Sequence, residues 1–496
     1  MRKILLFILI SLFISNGYAQ RRLAKRHHIV NRVLSEIIKD NDFKPAGFGF
    51  LAIDAKTGQI ISSYHPDMAL RPASNQKLIS TATVLELYGP DYKFETKLEY
   101  TGKIDTVTHI LHGNIIIKGG GDPTLGSKYF DETKDKQFLT QWVEALKHLH
   151  IDSVAGAVIG DAGIFSRDIV PVSWSWTNMG DYYGAGASGL SIFDNYYTIY
   201  YNTDSIIGDT AQIEEVVPEV PHLVFDNGVV ADTVSDDNSN ILGAPYSDIR
   251  YLRGELPLNK TNFAVKGSLP DPAYFAAYEV ERTLQENGVK FKNKPTTIRL
   301  LKIAGKHVGS NRTEIAITYS PPLSKIVEQT NIHSINLFAE HFLDQSGLKL
   351  IGRAQTELDA RAVMNYWKEK GMDIQGMTLT DGSGLSQYNA VTPRQMVFLL
   401  NYMKKNSPYF DVYYNSLPVA GQEGTVEEMF KGSAAAGNLR AKSGTIDRVK
   451  AYTGYVTSRS GREIIFSMIV NNFSGKSKEA RAQLERLMIS LAKLKR

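Results

Sequence analysis

The sequence predicts a mixed α/β protein whose core is built from both chain ends around a long β-rich insertion. Three observations carry this. A helical pattern and a hairpin pattern open the chain; a second hairpin and an amphipathic helix close it; and from about 93 to 312 the texture changes to short β-rich runs punctuated by Gly, Asp, Asn and Pro. The chain has 496 residues, and loss of a 19-residue leader would leave 477. At roughly 150 residues per domain that is about three domains. Hydrophobic residues make up 43% and charged residues 22%. This balance is that of soluble globular proteins and excludes wholesale disorder, collagen and a polytopic membrane protein. The formal charge is +4, or +2 once Arg2 and Lys3 leave with the leader. So small an excess gives no support to a nucleic-acid partner.

Taken in order, Arg2-Lys3, the apolar run Ile4–Ile14 and Gly17-Tyr18-Ala19 before Gln20 form a secretory signal over residues 1–19. The apolar run falls short of the roughly 20 residues a spanning helix needs, so no integral membrane segment is expected after signal removal. Export to a periplasm follows. The chain has no cysteine, which excludes disulfides, thiolate nucleophiles, Cys-ligated metals and lipid attachment at cysteine.

Ile29, Val30, Val33, Leu34, Ile37 and Ile38 have helical spacing. Phe48–Ile53 and Gln59–Tyr64 flank Ala55-Lys56-Thr57-Gly58 as a hairpin. Ser74, a good N-cap type, opens a helix carrying Leu78, Ile79, Ala82, Val84 and Leu85. Ile115–Ile117, Ala157–Ile159 and Ile199–Tyr201 read as strands, and Asp232, Asp236 and Asp237 as a surface loop. Helical texture returns at Ile326–Leu343 and Glu357–Glu369. Tyr452–Thr457 and Ile464–Val470 flank Ser458–Arg462 as a second hairpin, and Ala480, Leu484, Leu487, Leu491 and Leu494 mark a closing helix. The expected division is a core from 20–92 and 313–496, an inserted β-rich domain from 93–165 and 262–312, and a second nested domain over 166–261.

Three short constellations carry the chemistry. Ser74-Asn75-Gln76-Lys77 places a serine and a lysine at i and i+3, on one helix face. A serine hydroxyl becomes a nucleophile only when a base takes its proton, and the helix start favours developing negative charge. Ser334-Ile335-Asn336 precedes the helix-like run Leu337–Phe342, and Lys442-Ser443-Gly444-Thr445 precedes the second hairpin, where a strand edge is expected. Each alone is near noise. In this order, S-x-x-K, S-x-N and K-[ST]-G form the signature of penicilloyl serine transferases.

On these residues the chain resembles the low-molecular-mass class C penicillin-binding proteins, the D-alanyl-D-alanine carboxypeptidase/endopeptidase family. Arg71-Pro72-Ala73, Gly119–Leu125, Gly160–Phe165, Trp174-Ser175-Trp176, Asp181–Gly186 and Asp381–Ser386 are similar to blocks of that family. The 256 residues from 78 to 333 leave room for its nested domains. The resemblance implies a penicillin-binding/serine β-lactamase-like transpeptidase core, an antiparallel sheet flanked by helices. It implies a serine DD-peptidase acting on peptidoglycan stem peptides through an acyl-enzyme on Ser74, with β-lactams as covalent inhibitors and no metal or cofactor. Lys77 is then the base, with its pKa lowered by partial burial and by Lys442 nearby. Ser334 relays a proton, Asn336 orients Lys77, and Lys442 with Ser443 and Thr445 binds the terminal carboxylate. Gly444 lets substrate backbone approach, and Asp161 contributes to side-chain recognition.

Three departures stand out: K-S-G for the commoner K-T-G, Gln387 where relatives often carry arginine, and Gly163 where they carry serine. Two other functions remain open at this level, a serine β-lactamase or esterase on the same fold and a non-catalytic cell-wall binding protein. Oligomeric state is not encoded in any motif. Gly184–Gly189 fits G-x-G-x-x-G but lacks a βαβ setting, and His27-His28 and His148-Leu149-His150 lack carboxylates in ligand spacing.

Overall fold

The computed structural model describes residues 28–495, so the expected signal segment lies outside the described residues. The two chain ends meet in one antiparallel sheet of five strands. Its order is Arg440–Ile446, Val449–Thr457, Glu463–Asn471, Gly47–Asp54, Ile60–Tyr64. The opening hairpin joins the closing one along Gly47–Asp54 and Glu463–Asn471, paired from Gly47 with Asn471 to Asp54 with Ile464. Both strands are apolar on both faces, as expected of a sheet covered by helices on each side. Phe48, Phe50, Phe466 and Met468 pack on the helices His28–Lys39 and Ser477–Ala492. Leu51, Ile53, Ile465 and Ile469 pack on the other side, in a cluster with Leu78, Ile79, Phe338 and Phe342. Each such fully buried side chain stabilises the fold by about 1.5–3 kcal/mol.

The helix Lys77–Tyr88 is buried all round from Lys77 to Leu85, the pattern of a helix at the centre of a layer. It packs against Asn336–Ile351 and Leu323–His333. The sequence predicts continuous helical texture over 326–343. The structure breaks it at Ser334, whose backbone is left-handed (φ 58°, ψ 42°), and the helix resumes at Asn336. On an unbroken helix, residues two apart point away from each other. The break lets Ser334 and Asn336 serve the same site.

The insertion holds four further sheets. One runs Thr296–Thr297, Val158–Asp161, Ile115–Gly119, Glu95–Tyr100, Thr313–Tyr319. It is covered by two helices, Gln137–His148 and Pro272–Glu286, that the β-rich reading did not anticipate. Of the rest, one three-stranded sheet pairs Phe263–Ser268 with Tyr196–Asn202, so the chain after 262 belongs to the same sheet as the nested segment. A single apolar cluster, containing Leu98, Trp142, Ile199, Leu252 and Phe275, runs through these layers. The insertion is seated on the helix Asn336–Ile351. Gln345 Nε2 donates to the Gly120 carbonyl at 2.9 Å, and Ser191 and His341 hydrogen-bond at 3.0 Å. Among the described residues no helix is long and apolar enough to cross a membrane.

Candidate active site

Ser74 lies in a single 3-10 turn, Ala73–Gln76, that leads into the helix Lys77–Tyr88. It is therefore not the N-cap of the α-helix, and neither cap makes a side-chain bond. The 3-10 geometry still serves the i, i+3 pair, because side chains three apart eclipse in such a turn. Lys77 Nζ donates to Ser74 Oγ at 2.9 Å, to Asn336 Oδ1 at 2.6 Å and to the Ser383 carbonyl at 2.9 Å. Asn336 Nδ2 in turn donates to the Tyr183 carbonyl of the insertion at 2.7 Å. On the other side, Lys442 Nζ donates to Ser334 Oγ at 2.8 Å and to the Ser443 carbonyl at 2.9 Å. All three constellations thus converge on one cluster.

Burial sets the character of this cluster. Lys77 has no exposed surface, and burial lowers its pKa to about 7 against the opposing pull of Glu340 and Asp381. The expected cause was partial burial plus Lys442. Desolvation is the cause found; the Coulombic effect of the pair acts on Lys442, which burial and then Lys77 hold well below the usual lysine range.

Lys442, Ser443, Gly444 and Thr445 occupy the edge strand Arg440–Ile446. A Cβ on Gly444 would come within 2.6 Å of the Pro72 carbonyl and 3.1 Å of the Ser74 nitrogen. Its missing side chain lets the strand close against the turn that carries Ser74. Thr445 is exposed, and its Oγ1 accepts from Lys450 Nζ at 3.0 Å.

Asp161 is not part of the cluster. It pairs with Arg312 at 2.7 Å in the insertion and lines, with Lys97, Lys118 and Glu95, an open cavity of about 870 Å³. Gln387 is exposed. His333 bonds to neither serine nor lysine of the site and lies against the Tyr129 ring, centroids 5.4 Å apart.

Glu340 and Asn75 carry supporting roles that the sequence reading does not assign, and the block Asp381–Ser386, marked there only by resemblance, supplies the rest. Glu340 accepts from the backbone nitrogens of Gly382 at 2.8 Å and Ser383 at 2.7 Å, which aims the Ser383 carbonyl at Lys77. Burial and Asp381 push the Glu340 carboxyl up to about 8. Its place four residues after Asn336, one turn along the same helix, was the available signal. Asp381 accepts from Gly384 N at 2.8 Å, Ser386 N at 2.6 Å and Trp174 Nε1 at 2.9 Å, tying the insertion to the core. Gly384 is left-handed (φ 83°), and a Cβ there would meet the Ala73 carbonyl at 1.9 Å. Asn75, with its amide turned so that both ends are satisfied, donates to the Lys442 carbonyl at 2.6 Å and accepts from Tyr452 N at 3.2 Å. The turn Ala73–Gln76 is thus clamped between the edge strand and the loop 381–386.

The chain is 26% identical over 460 residues to the D-alanyl-D-alanine carboxypeptidase of Actinomadura sp. (strain R39), covering 89% of this chain and 81% of that one. Its fold superposes on penicillin binding protein 4 (dacB) from Haemophilus influenzae with TM-score 0.79 at 22% identity, covering 94% and 99% of the two chains. The same Haemophilus protein complexed with a β-lactam gives TM-score 0.74 at 21% identity, with 93% and 98% covered. The model of the D-Ala-D-Ala carboxypeptidase 3 (S13) family matches residues 30–491. The chain belongs to this family of serine-type D-Ala-D-Ala carboxypeptidases.

Proposed function

We propose that Ser74, Lys77, Ser334, Asn336 and Lys442 are the catalytic groups of an exported, periplasmic DD-peptidase that trims the terminal D-alanine of peptidoglycan stem peptides and cuts their cross-links. The observation that carries this is the fully buried Lys77 amine, 2.9 Å from Ser74 Oγ, where desolvation brings its pKa down to about 7. Without its extra proton, Nζ accepts the hydroxyl proton as Oγ attacks the carbonyl carbon of the penultimate D-alanine. The oxyanion is held by the backbone N–H groups of Ser74 and Thr445; such a donor is worth about 3–4 kcal/mol.

As the C–N bond breaks, the departing amine takes a proton through Ser334, which Lys442 contacts at 2.8 Å. The substrate's terminal carboxylate lies against Lys442, Ser443 and Thr445, and the incoming negative charge restores the proton that burial takes from Lys442. Asn336 holds Lys77 and binds the substrate amide. Water, activated by Lys77, then releases the acyl group. β-Lactams acylate the same hydroxyl and stay as covalent inhibitors.

The test pairs fluorescent penicillin with D-alanine release from a stem pentapeptide. The parent is expected to keep the label for many minutes and to release D-alanine; Ser74→Ala is expected to do neither. Rapid loss of label would make the protein a β-lactamase. Labelling of Ser74→Ala would refute the nucleophile.

A further inference from the structure

The insertion presents a second pair of lysines on the rim of the catalytic cluster. Lys128 follows the Gly119–Leu125 block, and Lys266 is on the strand Phe263–Ser268. Both amines face one aromatic ring: Lys128 Nζ is 5.2 Å and Lys266 Nζ 5.5 Å from the centre of Tyr196. Tyr129 holds Lys128 from another side at 5.0 Å, and Tyr182 holds Lys266 at 5.9 Å. Rings placed this way fix an ammonium head without neutralising it.

The pair is continuous with the site. Tyr129 packs at a tilt against His333, the neighbour of Ser334, and Tyr182 adjoins Tyr183, whose carbonyl accepts from Asn336. Among the described residues neither lysine has a carboxylate within 4.0 Å. The acid that feels both lysines is Asp194, which accepts from the Lys128 backbone nitrogen at 3.3 Å and leaves Oδ1 without a hydrogen-bond partner. Burial pushes Asp194 up to about 6. Burial, and then Lys128 beside it, holds Lys266 below the usual lysine range. Two ammonium groups against one buried carboxylate leave positive charge uncompensated at the cleft edge, and a bound anion relieves it.

We propose that Lys128 and Lys266, on their platform of Tyr129, Tyr182 and Tyr196, form a carboxylate-binding subsite that takes a second free carboxylate of the peptide substrate, separate from the terminal one held at Lys442. This rests on the DD-peptidase reading, but its test does not require turnover. Binding is measured by calorimetry in the Ser74→Ala background. One pair of probes is a stem pentapeptide with its internal carboxylates free or amidated. The other is a cross-linked peptide dimer with the second stem's carboxylates free or amidated.

The free form is expected to bind more tightly in at least one pair, and that pair tells which peptide reaches the subsite. Lys128→Met with Lys266→Met is expected to lower the free-to-amidated affinity ratio about fivefold, the scale of two half-exposed ion pairs. Lys128→Arg with Lys266→Arg is expected to keep it. A ratio of affinities is insensitive to the folded fraction of each variant. Equal affinity for free and amidated probes in both pairs, or a ratio unmoved by the methionine variants, would overturn the subsite. Failure of the parent to label with penicillin would instead overturn the hydrolase reading.

Discussion

Two lysine pairs sit within one continuous region and do opposite things. Lys77 and Lys442 are fully buried, and each meets neutral oxygens at fixed positions: Ser74 Oγ, Asn336 Oδ1 and the Ser383 carbonyl for one, Ser334 Oγ and the Ser443 carbonyl for the other. Lys128 is exposed and Lys266 half-buried, and both lie over aromatic faces. Loss of water lowers both pKa values of the first pair, that of Lys77 to about 7. The second pair lies nearer the surface with its heads over aromatic rings, a setting suited to binding anions. The residue type is the same; depth of burial divides base from binder.

The strongest way to break this contrast is to remove the buried pair's ability to shed a proton. Lys77→Arg keeps a cation that stays protonated near neutrality, and penicillin acylation is expected to fall about 10²–10⁴-fold. Stopped-flow labelling measures it; near-parent rates would show that Lys77 is not the base.

A gentler change tunes the same lysine. In the parent, the acylation rate is expected to rise with pH through about 7, as Lys77 loses its proton. Ionised Glu340 raises that pKa, but with its carboxyl pushed up to about 8 it is mostly protonated near 7, so Glu340→Gln is expected to move the midpoint down only slightly, by about a few tenths of a unit. The same variant unlatches Gly382 and Ser383, and kcat is expected to fall with it. A pH–rate profile with an unmoved midpoint would leave Glu340 a purely structural role.

Gly384→Ala tests the clamp beneath both lysines. Its left-handed backbone and the Ala73 carbonyl leave no room for a methyl group. A loss of about 1–3 kcal/mol is expected, seen as a lower denaturation midpoint, together with slower acylation.

The smallest effect concerns buried acids, the counterpart of the buried amines. Asp359 lies beside Asp344, and burial raises both, Asp359 to about 6. A raised acid stabilises the fold most below its unfolded pKa near 3.8, and that contribution fades as pH rises through about 6. Asp359→Asn is expected to flatten that loss, which thermal melts at pH 4 to 8, roughly bracketing the window, would read as a shift of a few degrees.

Much of the core was legible in the sequence because its signals are local. The hairpins around Ala55–Gly58 and Ser458–Arg462 and the closing helix Ser477–Ala492 announce themselves by period and turn residues. The helices Gln137–His148 and Pro272–Glu286 were missed although their signals were present. Phe138, Leu139, Trp142, Val143 and Leu146 have helical spacing, and Asp271 caps a helix opened by Pro272. The short strands on either side mask that spacing in the sequence. The break at Ser334 had no such signal, since serine does not by itself favour a left-handed backbone.

The sequence alone determined the order of the three constellations, the residue types able to act as nucleophile, base and carboxylate binder, and the i, i+3 relation of Ser74 and Lys77. These follow from chain connectivity and side-chain chemistry. Only the tertiary structure decided that Lys77 loses its water and is brought down to about 7, that Ser334 and Asn336 turn to the same centre, and that Glu340, Asn75 and Gly384 hold the turn Ala73–Gln76. Desolvation and packing depend on segments hundreds of residues apart, and no local pattern encodes them.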